Sequence, residues 1–397
     1  MIALTIPAAV QSERFSGADD EPWLDDMTWV VPQYTKRRVN WAGEILVRGD
    51  ATAYPEVNAY LADYFDALDI VNNWRSSHSF PLNTFTVGLK RRAKSIDTQC
   101  IIAQRIKRMS SIEYKLDRFK TMTLSQMQDL GGCRAVMSSV QAVARLGREY
   151  RQSEIKHPLH QCDDYIFHPK PSGYRGFHLI YKYNSDRKTT YNTLKIEMQI
   201  RTHLQHAWAT AVETVGTLQR QALKSSQGDE EMLRFFALAS TAFAFREETE
   251  SVPGTPDSYH EMASELRDLS QRLDLANRLG AYGQAMRFLS NPLHGKGESH
   301  YFLIELNPSQ KSVEVTTFKL SESVQANAKY LEVEKKMKNT PGSEAVLVSV
   351  DSLDTIRRAY PNYFLDTHVF MNLVAEATKG VRGPLRRRKK LRQLRLF

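Results

Sequence analysis

Leu194-Lys-Ile-Glu-Met-Gln-Ile-Arg-Thr202 alternates residue by residue between apolar and polar. Ile196, Met198 and Ile200 fall on one side, and Lys195, Glu197, Gln199 and Arg201 on the other. A period of two predicts a β-strand with one face in a core. Its polar face carries a carboxylate together with cations, a pattern that fits chemistry and fits a half-solvated strand equally. On either side of this strand, from about Trp29 to Glu250, helix-type spacings alternate with short strand-like runs.

Three further stretches lie upstream of that strand. In Leu124-Ser-Gln-Met-Gln-Asp-Leu-Gly-Gly-Cys-Arg-Ala-Val-Met137, Asp129 precedes Gly131-Gly132, and Arg134 and Val136 begin a strand-like run. An acid at a Gly-flanked turn beside an arginine suits Mg²⁺ and phosphate, although such turns are common everywhere. In His168-Pro-Lys-Pro-Ser-Gly-Tyr-Arg-Gly-Phe-His178, two glycines bracket Tyr174 and Arg175. An exposed tyrosine on a basic loop is a stacking platform worth about 1–3 kcal/mol per base; a tyrosine packed on its own loop would look the same in sequence. In Arg105-Ile-Lys-Arg-Met-Ser-Ser-Ile-Glu-Tyr-Lys115, a helix beginning near Ser110 would present backbone N–H groups to an anion. A solvated basic face is the plainer account of that run.

Taken together, these segments resemble the nucleotide pyrophosphokinase domain of the RelA/SpoT family. Arg105, Lys107 and Lys115 are similar to its ATP-phosphate motif, and Asp129 with Arg134 to its metal-binding Asp followed by Arg. Lys170, Tyr174, Arg175 and His178 are similar to its acceptor-binding loop. Glu197-x-Gln199-x-Arg201-Thr202 resembles the strand bearing the second metal ligand, and Asn73-Trp-Arg-Ser-Ser-His78 the early helix. No His-Asp hydrolase domain is evident, so the resemblance is to the small, synthetase-only branch. The resemblance implies an α+β fold: a mixed β-sheet flanked by helices, with a small C-terminal α+β domain.

The C-terminal part, with Val346-Leu-Val-Ser-Val-Asp-Ser-Leu-Asp354 and Tyr360-Pro-Asn-Tyr363, resembles the antitoxin region of fused CapRel-type toxin–antitoxin synthetases. That resemblance implies a toxin half that pyrophosphorylates the 3′ end of tRNA and blocks translation. It also implies that Tyr360 and Tyr363 obstruct the nucleotide site until a phage protein, typically the major capsid protein, binds the C-terminal domain. Spacing alone would make both tyrosines core aromatics at a helix end.

The implied reaction moves the β,γ-diphosphate of ATP onto a ribose 3′-hydroxyl, mainly by positioning and charge neutralisation. Asp129 and Glu197 would hold Mg²⁺, and Glu197 would also receive the hydroxyl proton. Lys107, Lys115 and Arg134 would neutralise phosphates, Arg105 would stack on adenine, and Tyr174 on the acceptor base. A tRNA acceptor also asks for a basic track, for which Lys36, Arg37, Arg38, Arg91 and Arg92 are candidates, although surface charge explains them as well. A regulated alarmone synthetase acting on free guanine or adenine nucleotides is the alternative. A non-catalytic binding protein is a third reading, opposed by intact Asp129, Glu197 and Tyr174.

The 397 residues and 42% apolar content fit two or three globular domains. The expected order is a loose segment over 1–25, a synthetase domain over 26–250, a helical linker over 251–300, an α+β regulatory domain over 301–380 and a basic tail over 381–397. Ser251-Val-Pro-Gly-Thr-Pro256 marks the first break. Beyond it the spacing predicts a helix capped at Asp257 or Ser258, a hairpin from Tyr301–Leu306 and Val313–Phe318, a helix over 321–338, a strand over 345–350 and a helix ending before Pro361. The net charge of +9 is concentrated in the tail, where Arg382, Arg386, Arg387, Arg388, Lys389, Lys390, Arg392 and Arg395 occur without an acid. No apolar run reaches bilayer length, and Met1–Val10 lacks the basic flank of a secretion signal. Three widely spaced cysteines argue for free thiols in small core positions and a reducing compartment. A cytoplasmic monomer, with no membrane partner, is the expectation.

Overall fold

A computed structural model of the chain describes residues 29–48, 57–222, 229–274, 287–291, 301–307, 310, 312–337, 343–349, 353–361 and 367–380. The expected loose segment over 1–25, the basic tail, Tyr363 and much of the 251–300 linker lie outside them. Among the described residues the helices are α1 (Lys36–Arg48), α2 (Val57–Ser76), α3 (Ser79–Ile96), α4 (Met109–Arg118), α5 (Val140–Gln152), α6 (His203–Ala222), α7 (Asp229–Glu247), α8 (Tyr259–Arg272), α9 (Ser323–Met337), α10 (Leu353–Ala359) and α11 (His368–Thr378). The strands are β1 (Ile101–Ile106), β2 (Gly131–Met137), β3 (Leu159–Asp164), β4 (Phe177–Lys182), β5 (Lys195–Thr202), β6 (Arg287–Asn291), β7 (Tyr301–Asn307), β8 (Ser312–Phe318) and β9 (Glu344–Ser349).

All nine strands form one mixed sheet, ordered β3-β4-β5-β2-β1-β9-β7-β8-β6. β2 and β5 run parallel, while β1, β4 and β9 join their neighbours antiparallel. The α+β architecture expected from the sequence is therefore present. The C-terminal strands, however, do not make a separate sheet. They extend the first five through a short β1–β9 ladder in which Gln104 pairs with Ser349 and Arg105 with Val348. The apolar core is shared in the same way: Ile101, Ala103 and Val136 pack with Phe302, Ile304, Val346, Val348, Ile356 and Tyr360.

The alternation read in β5 is realised. Ile196, Met198 and Ile200 are fully buried on the face covered by α1–α5, in a core with Leu82, Leu89, Val143 and Leu146. At about 25 cal/mol per Å² of apolar surface removed from water, this layer fixes which face of the sheet remains for chemistry. The predicted hairpin is β7–β8. The predicted cap is also found: the Ser258 hydroxyl accepts from the Glu261 N–H at the start of α8. Cys100 and Cys133 are buried as expected, but Cys162 is exposed on β3, an edge strand whose residues are mostly open to solvent.

Candidate active site

Sheet register assembles the site. Across the four central strands, Arg105 pairs with Gly132, which pairs with Glu197; one step along, Arg134 pairs with Gln199, which pairs with His178. Paired residues share a face, so Arg105, Arg134, Glu197, Gln199 and His178 stand side by side opposite the apolar layer.

Two ionised carboxylates anchor this face. Asp129, on the turn into β2, accepts from Lys107 Nζ at 2.8 Å and from Lys115 Nζ at 3.0 Å. Burial pushes its carboxyl up, but the two ammonium groups outweigh that and hold it down at about 2. Lys107 continues directly from β1, its N–H bonded to the Leu130 carbonyl at 2.8 Å, and Lys115 lies on α4. Glu197 Oε1 accepts from His178 Nδ1 at 2.8 Å. Burial raises the Glu197 carboxyl; the His178 hydrogen bond and charge more than offset it, so the group sits below its ordinary range. Asp129 acts on Glu197 as a like charge, which places the two in one electrostatic field.

A hydrogen-bonded chain runs on from His178. The Tyr174 hydroxyl meets His178 Nε2 at 2.7 Å and accepts from Gln199 Nε2 at 2.6 Å; Gln199 Oε1 accepts from Arg134 Nε at 2.9 Å. With Nδ1–H given to Glu197, Nε2 of a neutral imidazole takes the tyrosine proton, and Nε2–H of a charged one donates to the tyrosine oxygen. Burial raises the Tyr174 hydroxyl's pKa, so it stays protonated. This corrects the expectation of an exposed stacking platform. Tyr174 is half-buried, edge-on to Trp208 and Tyr165, and its hydroxyl belongs to the network around Glu197. The neighbouring Tyr165 was not singled out from sequence. It stands 5.4 Å from the His178 ring, with exposed Lys170 at 4.2 Å over its face, so Lys170 and Tyr165 border the His178 end of the network. An aromatic three residues before the loop was the only sign of it.

Arg175 is also corrected. It is 3% exposed, and its guanidinium donates to Ser240 Oγ at 2.9 Å, Ile166 O at 2.9 Å, Thr249 Oγ1 at 3.4 Å and Glu250 O at 2.6 Å. Burial brings it down to about 10. It ties the loop to α7 and to the 249–250 segment, and it does not face an acceptor. Gly173, at φ 91°, completes the anchorage: a Cβ there would meet Trp208 at 2.9 Å and Ser240 at 3.0 Å. Only glycine combines that backbone with so close an approach.

Arginines cluster around Glu213 beside this network. Arg105, Arg108, Arg134 and Arg201 all act on Glu213 of α6, whose carboxyl they lower against a burial effect that raises it. Arg201 is 2% exposed, and burial together with Arg134 brings it down to about 9. Arg108 is also ion-paired to Glu344, and the guanidiniums gathered around the Glu213 carboxylate make a cationic surround suited to a polyphosphate. The polar face of β5 had signalled Gln199 and Arg201 without a role; nothing in sequence pointed to Glu213.

The C-terminal segment reaches this face. Arg134 donates to the Ala359 carbonyl at 3.4 Å and lies 5.7 Å from the Tyr360 ring. His206 Nε2 donates to the Arg358 carbonyl at 3.0 Å. Tyr360 is 2% exposed.

The proposed basic track is divided. Lys36, Arg37 and Arg38 are exposed at the start of α1, where Arg38 is ion-paired to Asp66 and stacks on Trp41 at 3.7 Å. Arg91 is exposed on α3, but Arg92 donates to Ser153 at 2.9 Å and lies over Tyr150 at 4.5 Å, within the helical layer.

The donor set fits Mg²⁺. Asp129 and Glu197 offer hard, ionised oxygens in one field and would be the residues to hold it, and no group of three metal-ligating side chains occurs among the described residues. A Mg²⁺ held by one or two carboxylates plus substrate phosphates needs no more.

Residues 104–215, which span this site, match the family model described as a region found in RelA / SpoT proteins. Over that span the chain is thus similar to a region of RelA and SpoT proteins. Among solved structures it is similar to the small alarmone synthetase 2 of Bacillus subtilis: 22% identity, 47% of this chain and 95% of that one covered, TM-score 0.37. It is similar to the small alarmone synthetase 1 of the same organism bound to its product pppGpp, at 21% identity over 52% and 98%, TM-score 0.34. A GTP pyrophosphokinase family protein from Streptococcus pneumoniae matches at 20% identity over 50% and 90%, TM-score 0.30. No curated protein sequence matches the chain. No helix among the described residues is long and apolar enough to cross a membrane.

Proposed function

We propose that the chain is an ATP-dependent pyrophosphokinase that transfers the β,γ-diphosphate of ATP to the 3′-hydroxyl at the 3′ end of tRNA. The observation that carries this reading is the convergence of Asp129, Lys107 and Lys115 with the Glu197–His178 pair on one face of the sheet. The acceptor 3′-oxygen bonds to the β-phosphorus, the bond between that phosphorus and the α,β-bridging oxygen breaks, and AMP leaves. Lys107, Lys115 and Arg134 neutralise the phosphates, and Arg105 stacks on adenine. Glu197, fixed by His178, accepts the hydroxyl proton. Mg²⁺, when bound, supplies further neutralisation of the triphosphate.

The exposed cations at Lys36, Arg37 and Arg38 support an acceptor with a phosphate backbone. The Ala359 and Tyr360 contacts with Arg134 support inhibition by the C-terminal segment in the resting chain. Release by a phage protein, the major capsid protein being the candidate, follows from the resemblance of that segment to CapRel-type antitoxin regions.

The full chain and a Tyr360→Ala variant, given γ-labelled ATP, Mg²⁺, bulk tRNA and free GDP together, test the reading. Label in the tRNA band that disappears in Glu197→Gln is the expected result. Label only in a guanosine polyphosphate would reassign the acceptor, and no transfer from a folded Tyr360→Ala chain with or without capsid protein would reject it.

A further inference from the structure

The face of the sheet that carries Glu197 continues past it to a second group of charges, all of one sign. Lys195 lies two residues before Glu197 on β5, on the same side of the strand and roughly 7 Å away. Across the ladder Lys195 pairs with Lys182 of β4. Two ammonium side chains therefore stand directly opposite one another, an arrangement that weakens a sheet. Lys36 of α1 joins them: its Nζ donates to Thr193 Oγ1 at 3.4 Å, two residues before Lys195. His160 of β3 is the fourth basic group. Burial, and then Lys182 and Lys195, lower its pKa, and Lys195 is itself lowered by burial and then by Lys182 and Lys36.

No acid answers this charge. Among the described residues the three ammonium groups meet neutral oxygens only: Lys36 that of Thr193, and Lys195 the Gln126 carbonyl at 3.1 Å. On the neighbouring strand the backbone partner of Lys182 is Pro158, whose carbonyl accepts its N–H at 3.0 Å. Asp163, the acid of β3 on this face, stands farther along, opposite His178, and accepts from Gln161 at 2.7 Å. The turn between the two lysines is braced as well. The Ser185 N–H donates to Asn192 Oδ1 at 2.8 Å, and Asn192 Nδ2 donates to the Ser185 carbonyl at 3.0 Å. Thr193 takes φ 74°, which a β-branched residue adopts only where its surroundings fix it. Lys182 and Lys195 thus leave and re-enter the sheet from a rigid turn and cannot drift apart to relieve their repulsion.

We propose that Lys182 and Lys195, with Lys36, hold the 5′-phosphate of the nucleotide whose 3′-hydroxyl is modified. This rests on the reading of Glu197 as the group that receives the hydroxyl proton. The two ends of that nucleotide belong to one ribose, so a carboxylate that meets the 3′-hydroxyl lies within a sugar's breadth of whatever holds the 5′-phosphate. On β4 and β5 the order along the face is His178 with Gln199, then Glu197, then Lys182 with Lys195. That order seats a nucleotide lengthwise, its sugar at Glu197 and its phosphate on the lysines. In tRNA the phosphate is the diester preceding the terminal ribose, and in a free nucleotide it is the first of the 5′ chain. Either one supplies the negative charge that the cluster lacks, and charge-assisted hydrogen bonds to it are the strong kind.

The test uses the full chain carrying Tyr360→Ala, with bulk tRNA and GDP as separate acceptors and α,β-methylene ATP as the donor probe. Lys182→Gln and Lys195→Gln should each raise the acceptor KM about 10-fold or more and leave the affinity for the ATP analogue unchanged. Against tRNA each should also lower the slope of log affinity on log salt by about 0.7. Lys195→Arg should keep most of the acceptor affinity. Lys182→Gln should melt no lower than the parent, because it removes a repulsion, whereas a purely structural lysine would leave a less stable chain. The same KM effect with GDP as the only working acceptor would support the site and place its phosphate on a free nucleotide. Unchanged acceptor KM and salt slope in both glutamine variants would overturn the site, and so would a loss confined to the ATP analogue. No transfer to either acceptor before any lysine is changed would instead overturn the reading of Glu197, and the acceptor's place on this face with it.

Discussion

Glu197 on β5 and His178 on β4 meet at 2.8 Å through Oε1 and Nδ1, so the imidazole that the sequence placed with the acceptor also orients the carboxylate. Its other nitrogen is held by Tyr174, and Tyr174 by Gln199. Glu197 therefore has a fixed direction and an ionised state before any substrate arrives, which is what positioned transfer chemistry demands. The chain ends on Arg134, the same side chain that the C-terminal segment touches.

Glu197→Gln should reduce diphosphate transfer by at least about 10²–10⁴-fold, the usual range for a positioned acid–base group. Folding should persist, because an amide still meets His178. Label transfer from γ-labelled ATP, read beside a melting curve, checks this; transfer retained at the parent rate would remove Glu197 from the chemistry.

His178→Ala should act through Glu197. The carboxyl loses the hydrogen bond that opposes burial, so it rises towards its ordinary value or above. The acid limb of the pH–rate profile should move to higher pH, while the affinity for an ATP analogue changes little. A loss of rate with an unmoved profile would give His178 a different task.

Asp129 binds fewer protons in the folded chain than in the unfolded one, since its lysines hold it at about 2 against an ordinary 3.8. Its contribution to stability is fully present above about pH 4 and is lost as pH falls from there towards 2. Melting midpoints of the parent should drop across that window more steeply than those of Asp129→Asn.

Glu113, on α4, has the opposite sign. Burial, and then the Glu334 charge, raise it from the ordinary 4.5 to about 7. The folded chain binds more protons than the unfolded one between those values, so this contribution to stability is present below about pH 4.5 and is lost as pH rises towards 7. Melting midpoints of the parent should fall across that range more than those of Glu113→Gln.

Arg175→Met should lower stability by about 3 kcal/mol or more, because four acceptors lose a buried donor at once. Denaturant melts report it. If Arg175 touched the acceptor instead, stability would hold and only the acceptor KM would rise.

Much of the scaffold was legible because it is local. The period of two in β5, the Pro-Gly break before Ser258 and the β7–β8 hairpin are each written within a dozen residues, and each is found. Side-chain fates that depend on a distant element were not. Nothing near Arg175 announces that Ser240 and Glu250 will bury it. Tyr174 reads as a loop aromatic until α6 brings Trp208 beside it. Arg75 and Glu334 are 259 residues apart, and no spacing rule joins them. Strand periodicity also identifies an edge no better than a centre: the apolar run of β9 is equally at home in a separate sheet and in the extension of β1 that it makes.

That extension has a cost once undone. With β9 in place, β1 has a partner on either side. Without it, β1 would present a row of unsatisfied backbone groups flanked by Ile101 and Ala103, the kind of border that recruits strands from other molecules. A chain opened in this way would be adhesive, and short-lived among other proteins unless some other extended segment docked in the gap.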